Sequence, residues 1–115
     1  MTITTRRHLM AKYLLEVSYT LDGIKGLKSE GGSARVAAAT EAIEGLGGKI
    51  DAFYFAFGDT DVYVVADYPD NVSVAAAALA VSAGGGARVR TTVLLTPAEI
   101  DAATSKKTTY RPPGG

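Results

Sequence analysis

Apolar residues recur along this chain with two periods, and the switches between them mark its elements. Tyr13, Leu15, Val17 and Tyr19 fall at every second position, with Leu14, Glu16 and Ser18 between them, which is how a strand with one buried face reads. Leu21, Ile24 and Leu27 are then spaced by three, but Gly23 and Gly26 interrupt them, so the spacing predicts only a short helical turn. Gly31-Gly32-Ser33 breaks that turn. Ser33 is placed to cap an Ala-rich helix reaching about Leu46, with Val36, Ala39, Ile43 and Leu46 on one face and Gly47-Gly48 ending it.

The third quarter carries the strongest local signal. Ile50 to Phe57 and Val62 to Asp67 are rich in aromatic and β-branched residues and flank the turn Gly58-Asp59-Thr60-Asp61, which reads as a β-hairpin. Asp70 or Asn71 then caps a second helix from Val72, stopped by Gly84-Gly85-Gly86, and Ala87 to Leu95 reads as a fourth strand. Thr96, Pro97 and Glu99 are an N-cap, a first-turn proline and a third-position acid, so a last short helix is predicted from Pro97 to about Ala103.

The order is β-α-β-β-α-β, an α+β, ferredoxin-like arrangement in which two right-handed crossovers put both helices on one face of a four-stranded antiparallel sheet. Alternation sorts the strand residues. Phe53, Phe55, Phe57, Val62, Val64, Ala66, Val89, Thr91 and Val93 join the odd positions of the first strand under the helices. The other face mixes Leu14, Ala56 and Val65 with Glu16, Tyr54, Tyr63, Asp67, Arg88 and Arg90. It is too apolar to stand bare and too polar for a dry core, which marks an interface or a binding groove. Closure on a second copy, as a dimeric α/β-barrel-type homo-oligomer with a cavity between the sheets, is the expected assembly.

Composition narrows this reading. Twelve Lys and Arg balance twelve Asp and Glu in 115 residues, so no overall charge draws the chain to nucleic acid or an anionic membrane. Cysteine is absent, which removes disulfides, thiolate metal sites and a thiol nucleophile. The longest apolar stretch, Val72 to Ala83, is too short to span a bilayer, and Lys12 interrupts the N-terminal run too soon for a signal peptide. A cytoplasmic protein is expected. Residues 1–10 read as a flexible extension, with Met10 a second candidate start. Residues 11–104 read as one domain, and 105–115 as a flexible basic, Pro-containing tail.

Several groups have a chemical and a plain reading. Asp59 and Asp61 are a carboxylate pair for a metal or a water, or turn formers bonding nearby amides. Glu30 to Arg35 sits at a helix start with glycines and a cation, as an anion cradle would, or is a linker with a cap. Gly84-Gly85-Gly86 reads as a helix stop. Glu16, Tyr54, Tyr63, Asp67, Arg88 and Arg90 combine anion-binding guanidinium groups with stacking phenols, and form the candidate ligand site; alternatively Glu16 or Asp67 pairs with Arg88 or Arg90 across a subunit interface. The one histidine, His8, lies in the extension, which removes a His-based triad, zinc site or general base from the domain. No metal site or cofactor is expected.

From about Met10 to Ala103 the chain resembles the GYD-domain family of small ferredoxin-like proteins. The resemblance rests on Lys12-Tyr13-Leu14, Tyr19-Thr20, Gly23-Ile24-Lys25-Gly26-Leu27, Glu30-Gly31-Gly32-Ser33-Ala34-Arg35 and Gly47-Gly48-Lys49. Further on it rests on Phe53 to Asp59, Asp61-Val62, Pro69-Asp70-Asn71 and Leu95 to Glu99. Thr60 stands where the family usually carries a tyrosine in its hairpin. The resemblance implies a fold and an oligomer, and no reaction. The function expected is that of a homo-oligomeric module binding a small anionic or aromatic ligand, or serving regulation or assembly. The alternatives are a cofactor-independent isomerase- or monooxygenase-type enzyme, and a cargo-interacting protein using its tail.

Overall fold

A computed structural model describes residues 10–115, so all of the expected N-terminal extension except Met10 lies outside the described residues. The elements are β1 (Ala11–Tyr19), α1 (Leu21–Glu30), α2 (Gly32–Gly45), β2 (Lys49–Phe55), β3 (Val62–Tyr68), α3 (Asn71–Ala83), β4 (Ala87–Leu94) and α4 (Pro97–Thr104). The four strands form one antiparallel sheet in the order β2-β3-β1-β4. This is the ferredoxin-like topology that the element order implies.

In β1 and β3 the core forms where the alternation places it, but Phe55, Thr91 and Val93, expected beneath the helices, are exposed because the helices do not cover the ends of the outer strands. Tyr13, Leu15, Val62, Val64, Ala66 and Tyr68 are buried beneath the helices, with Ile43 of α2 and Val74 of α3 closing over them. The Tyr13 and Tyr68 rings meet edge to face at 5.9 Å, the arrangement that ring quadrupoles favour. Each valine buried here contributes about 1.5–3 kcal/mol.

Local chemistry moves some boundaries. The short turn expected at Leu21 is a ten-residue helix. Its N-cap, Thr20, accepts from Gly23 N, while Thr20 N and Oγ1 donate to the carbonyls of Gly86 and Gly85 at 2.9 Å; that anchorage offsets the two glycines. Gly31, at φ 87°, is both the C-cap of α1 and the N-cap of α2. The left-handed backbone starts α2 two residues early, so Ser33 lies inside the helix instead of capping it. Asp70 caps α3 by accepting from Ser73 N at 2.8 Å. Thr96 and Glu99 form the expected capping box on α4.

The hairpin departs from the simple alternation. Its strands end at Phe55 and begin again at Val62, and Ala56 N donates to Asp61 O to close the longer loop. Phe57, expected in the buried set, is wholly exposed in that loop, and Ala56 is likewise outside the strand. A bulge between Ile50 and Ala52 inserts Asp51 as an extra residue, as bulges do on edge strands.

Beyond β4, every residue from Leu95 to Gly115 is exposed, and α4 builds no packed interface with another element. No helix of the described residues is long and apolar enough to cross a membrane.

Candidate functional site

The open face is ordered in rows that run across the strands. Tyr54 pairs with Tyr63, Tyr63 with Glu16, and Glu16 with Arg90. These predicted site residues therefore form one line over the full width of the sheet, about 15 Å at normal strand spacing. The next row is Ala52, Val65, Leu14 and Thr92, and the one beyond it Lys49, Asp67, Lys12 and Leu94. Arg88 lies on the other side of the first row, opposite Ser18. The structure thus separates Asp67 and Arg88 from the other predicted residues while keeping them on the same face.

Part of the charge on this face is paired inside the chain, while Arg88 and Lys49 form no ion pair among the described residues. Arg90 donates to Glu16 Oε1 at 3.1 Å. Glu16 is half-buried, and the buried Thr60 hydroxyl also reaches its Oε1, at 3.4 Å. Asp67 pairs with Lys12 at 2.9 Å, and Lys12 also meets Asp51. Hydrogen bonds that Lys12 donates to Asp51 and then to Asp67 hold its ammonium above the usual lysine range. The expected pairing of Glu16 with an arginine across a subunit interface is therefore made between neighbouring strands of one chain, and Asp67 takes a lysine in place of an arginine. Among the described residues Arg88 forms no ion pair.

Sequence reasoning missed Lys12 and Asp51. Lys12 alternates onto the open face with Leu14 and Glu16, a signal that was legible. Asp51 was not, because strict alternation puts it on the same side as Phe53. The bulge at Asp51 breaks that alternation and lets its carboxylate reach Lys12.

Other candidates have local employment. Asp61 Oδ2 accepts from Tyr19 N at 2.8 Å, and Asp61 N donates to Val17 O, so this carboxylate holds the hairpin loop to the end of β1. Arg35 pairs with Glu30 at 3.2 Å. Among the described residues no three carboxylate or imidazole side chains gather as metal ligands.

A family model described as the GYD domain matches residues 13–104. The chain belongs to the GYD-domain family. Neither curated proteins nor solved structures give a match. The matched span of this GYD domain reaches from β1 to the end of α4 and contains the whole Tyr54–Tyr63–Glu16–Arg90 row. Thr60, in the hairpin loop, is the buried residue whose hydroxyl meets Glu16.

Proposed function

We propose that this GYD-domain protein is a self-associating module whose open sheet face closes on a second copy. The observation that carries the reading is the pairing of charge on either side of the central row of that face. Glu16 with Arg90 and Lys12 with Asp67 flank the uncharged row Ala52, Val65, Leu14 and Thr92. Burying an unpaired charge is costly, whereas pairs already made can be covered with little loss. Tyr54, 70% exposed, and Tyr63 add the aromatic surface in which interfaces are enriched.

Four strands of about seven residues project about 450 Å², so an interface of standard size, about 800 Å² of accessible surface per partner, would draw on more than the sheet face. The exposed segment after β4 supplies further unpartnered apolar surface through Leu95, Ile100 and Tyr110. An isolated helix as short as α4 is marginal in water, so a second copy is also what would hold it.

One observation favours a ligand within the same assembly. Arg88 is exposed, without an ion pair, and two residues from Arg90 on its strand. A small anionic or aromatic molecule enclosed between the two sheets would meet Arg88 and the row of Glu16, Arg90, Tyr54 and Tyr63, with Asp67 at the far edge.

The test is sedimentation velocity over a wide concentration range. The wild type is expected to run as a closed oligomer. Tyr63→Arg, whose new guanidinium would face Glu16 in the single chain, is expected to run as a folded monomer. A wild type that stays monomeric, or an oligomer indifferent to Tyr63→Arg, would remove the proposal.

A further inference from the structure

Two apolar surfaces of this chain stand without partners, and they match. The first belongs to α3. Over Asn71–Ala83 this helix carries no charged residue, and a helix apolar all round is one that is covered on every side. Here only one side is covered: Val74 enters the core, while Val72, Ala75 and Leu79 stand exposed. Between α3 and the outer strand β4 runs a groove lined by Tyr13, Val74, Ala75, Leu79, Thr91 and Val93. It lies on the helix side of the sheet, so closing the open face leaves it free.

The second surface is α4. Pro97, Ile100, Ala103 and Thr104 share one of its faces, at spacings of three and four, with Glu99 and Asp101 at the margins. The direction of α4 is set at its joint with β4. Pro97 holds Thr96 extended, and Thr96 and Glu99 bond each other's backbone in the capping box. With only Leu95 and Thr96 between strand and helix, α4 stands out as a stiff arm and does not fold back on the groove beside it.

We propose that α4 is an exchanged arm: each copy lays Leu95 and the Ile100 face of α4 into the α3–β4 groove of the other. This rests on the self-association proposed above and adds a second contact between the same copies. Three considerations select this occupant. A groove without charge takes a surface that is uncharged where it seats, and the Ile100 face is uncharged. The sheet face alone falls short of a standard interface, and an arm from each copy supplies further area. Reciprocal exchange also gives both copies the same contact, so the assembly closes instead of growing.

The chain has no cysteine, so single cysteines can report on the exchange. An Ala75→Cys chain and an Ala103→Cys chain, mixed until their subunits exchange, are treated with a short bismaleimide. The expected product joins one chain of each kind. A mixture that yields no joined product would overturn the proposal. So would a chain carrying both substitutions that links only to itself, since that seats α4 in its own groove. Sedimentation velocity then separates the two readings. Ile100→Asp is expected to raise the dissociation constant of the assembly about tenfold or more, because each arm loses a buried anchor. In the Tyr63→Arg monomer the same substitution should leave the melting temperature unchanged, because there α4 packs on nothing. A monomeric wild type would remove self-association and exchange together. An assembled wild type whose dissociation constant ignores Ile100→Asp would remove the exchange alone. An assembly that withstands Tyr63→Arg yet weakens with Ile100→Asp would remove the face closure and support the exchange.

Discussion

Gly23 of α1 lies so close to Gly86 at the start of β4 that a Cβ built on Gly23 would fall 1.9 Å from the Gly86 carbonyl oxygen. That oxygen is fixed, because it accepts from Thr20 N at 2.9 Å. Gly23→Ala must therefore move backbone, and is expected to destabilise the fold by about 2 kcal/mol or more. Gly26, one turn on, has open space where its Cβ would be. Gly26→Ala is expected to stabilise by about 0.5–1 kcal/mol through helix propensity alone. Urea denaturation of the two variants beside the wild type checks both signs.

The two capped helices should respond differently to loss of their caps. Asp70 heads α3, which buries Val74 in the core, so Asp70→Ala should lower the global unfolding midpoint. The backbone hydrogen bond from Ser73 holds the Asp70 carboxyl below its ordinary value. With the folded pKa depressed, the stabilisation is present above the unfolded value of about 3.9 and is lost as the pH falls through the folded one. The wild-type advantage over Asp70→Ala should thus vanish only in acid. Thr96→Ala should leave the global midpoint of an assembly-deficient chain unchanged, because α4 packs on nothing there. Its effect should appear as faster amide exchange over residues 97–104.

At alkaline pH several groups act in one direction. Hydrogen bonds donated to Asp51 and Asp67 raise Lys12, and burial raises Tyr13, Tyr19 and Tyr68. A group whose folded pKa is raised contributes in full below its unfolded value and loses that contribution as the pH climbs through the folded one. Stability is expected to hold to about pH 10 and to fall steeply above it. Lys12→Met should run parallel to the wild type at neutral pH, with the gap between them narrowing beyond about pH 10.4. Thermal melts across this range would show it.

The Glu16–Arg90 pair gives a measure of assembly from the inside. Arg90's side chain is 74% exposed in the single chain, and exposed pairs are worth little. In a Tyr63→Arg background, a double-mutant cycle of Glu16→Gln and Arg90→Gln is expected to give a coupling of about 0.5 kcal/mol or less. In the assembling chain the same cycle should give a larger value, since covering the pair removes the water that screens it.

What could be read before the structure follows a physical divide. Alternation located the buried set of β1 and β3 and which residues share the open face, though not their order across it, because period two is a property of the strand itself. Cap residues at Asp70, Thr96 and Glu99 were legible for the same reason, since each acts within one turn. The departures all depend on contacts distant in sequence. The length of α1 rests on Thr20 meeting Gly85 and Gly86. The position of Asp51 rests on a bulge. The partners of Glu16 and Asp67 needed the register of three strands at once, which no local pattern encodes.

The bulge at Asp51 has a consequence beyond the face it rearranges. A sheet polymerises when both of its outer strands offer a regular backbone ladder to the next molecule. Here β4 offers one, but β2, the other outer strand, has its hydrogen-bonding rhythm broken in the middle of its length. Edge-to-edge growth into a fibre is thereby frustrated at one end of every molecule, so the bulge guards the sheet against open-ended polymerisation whether or not the proposed closure of its face takes place.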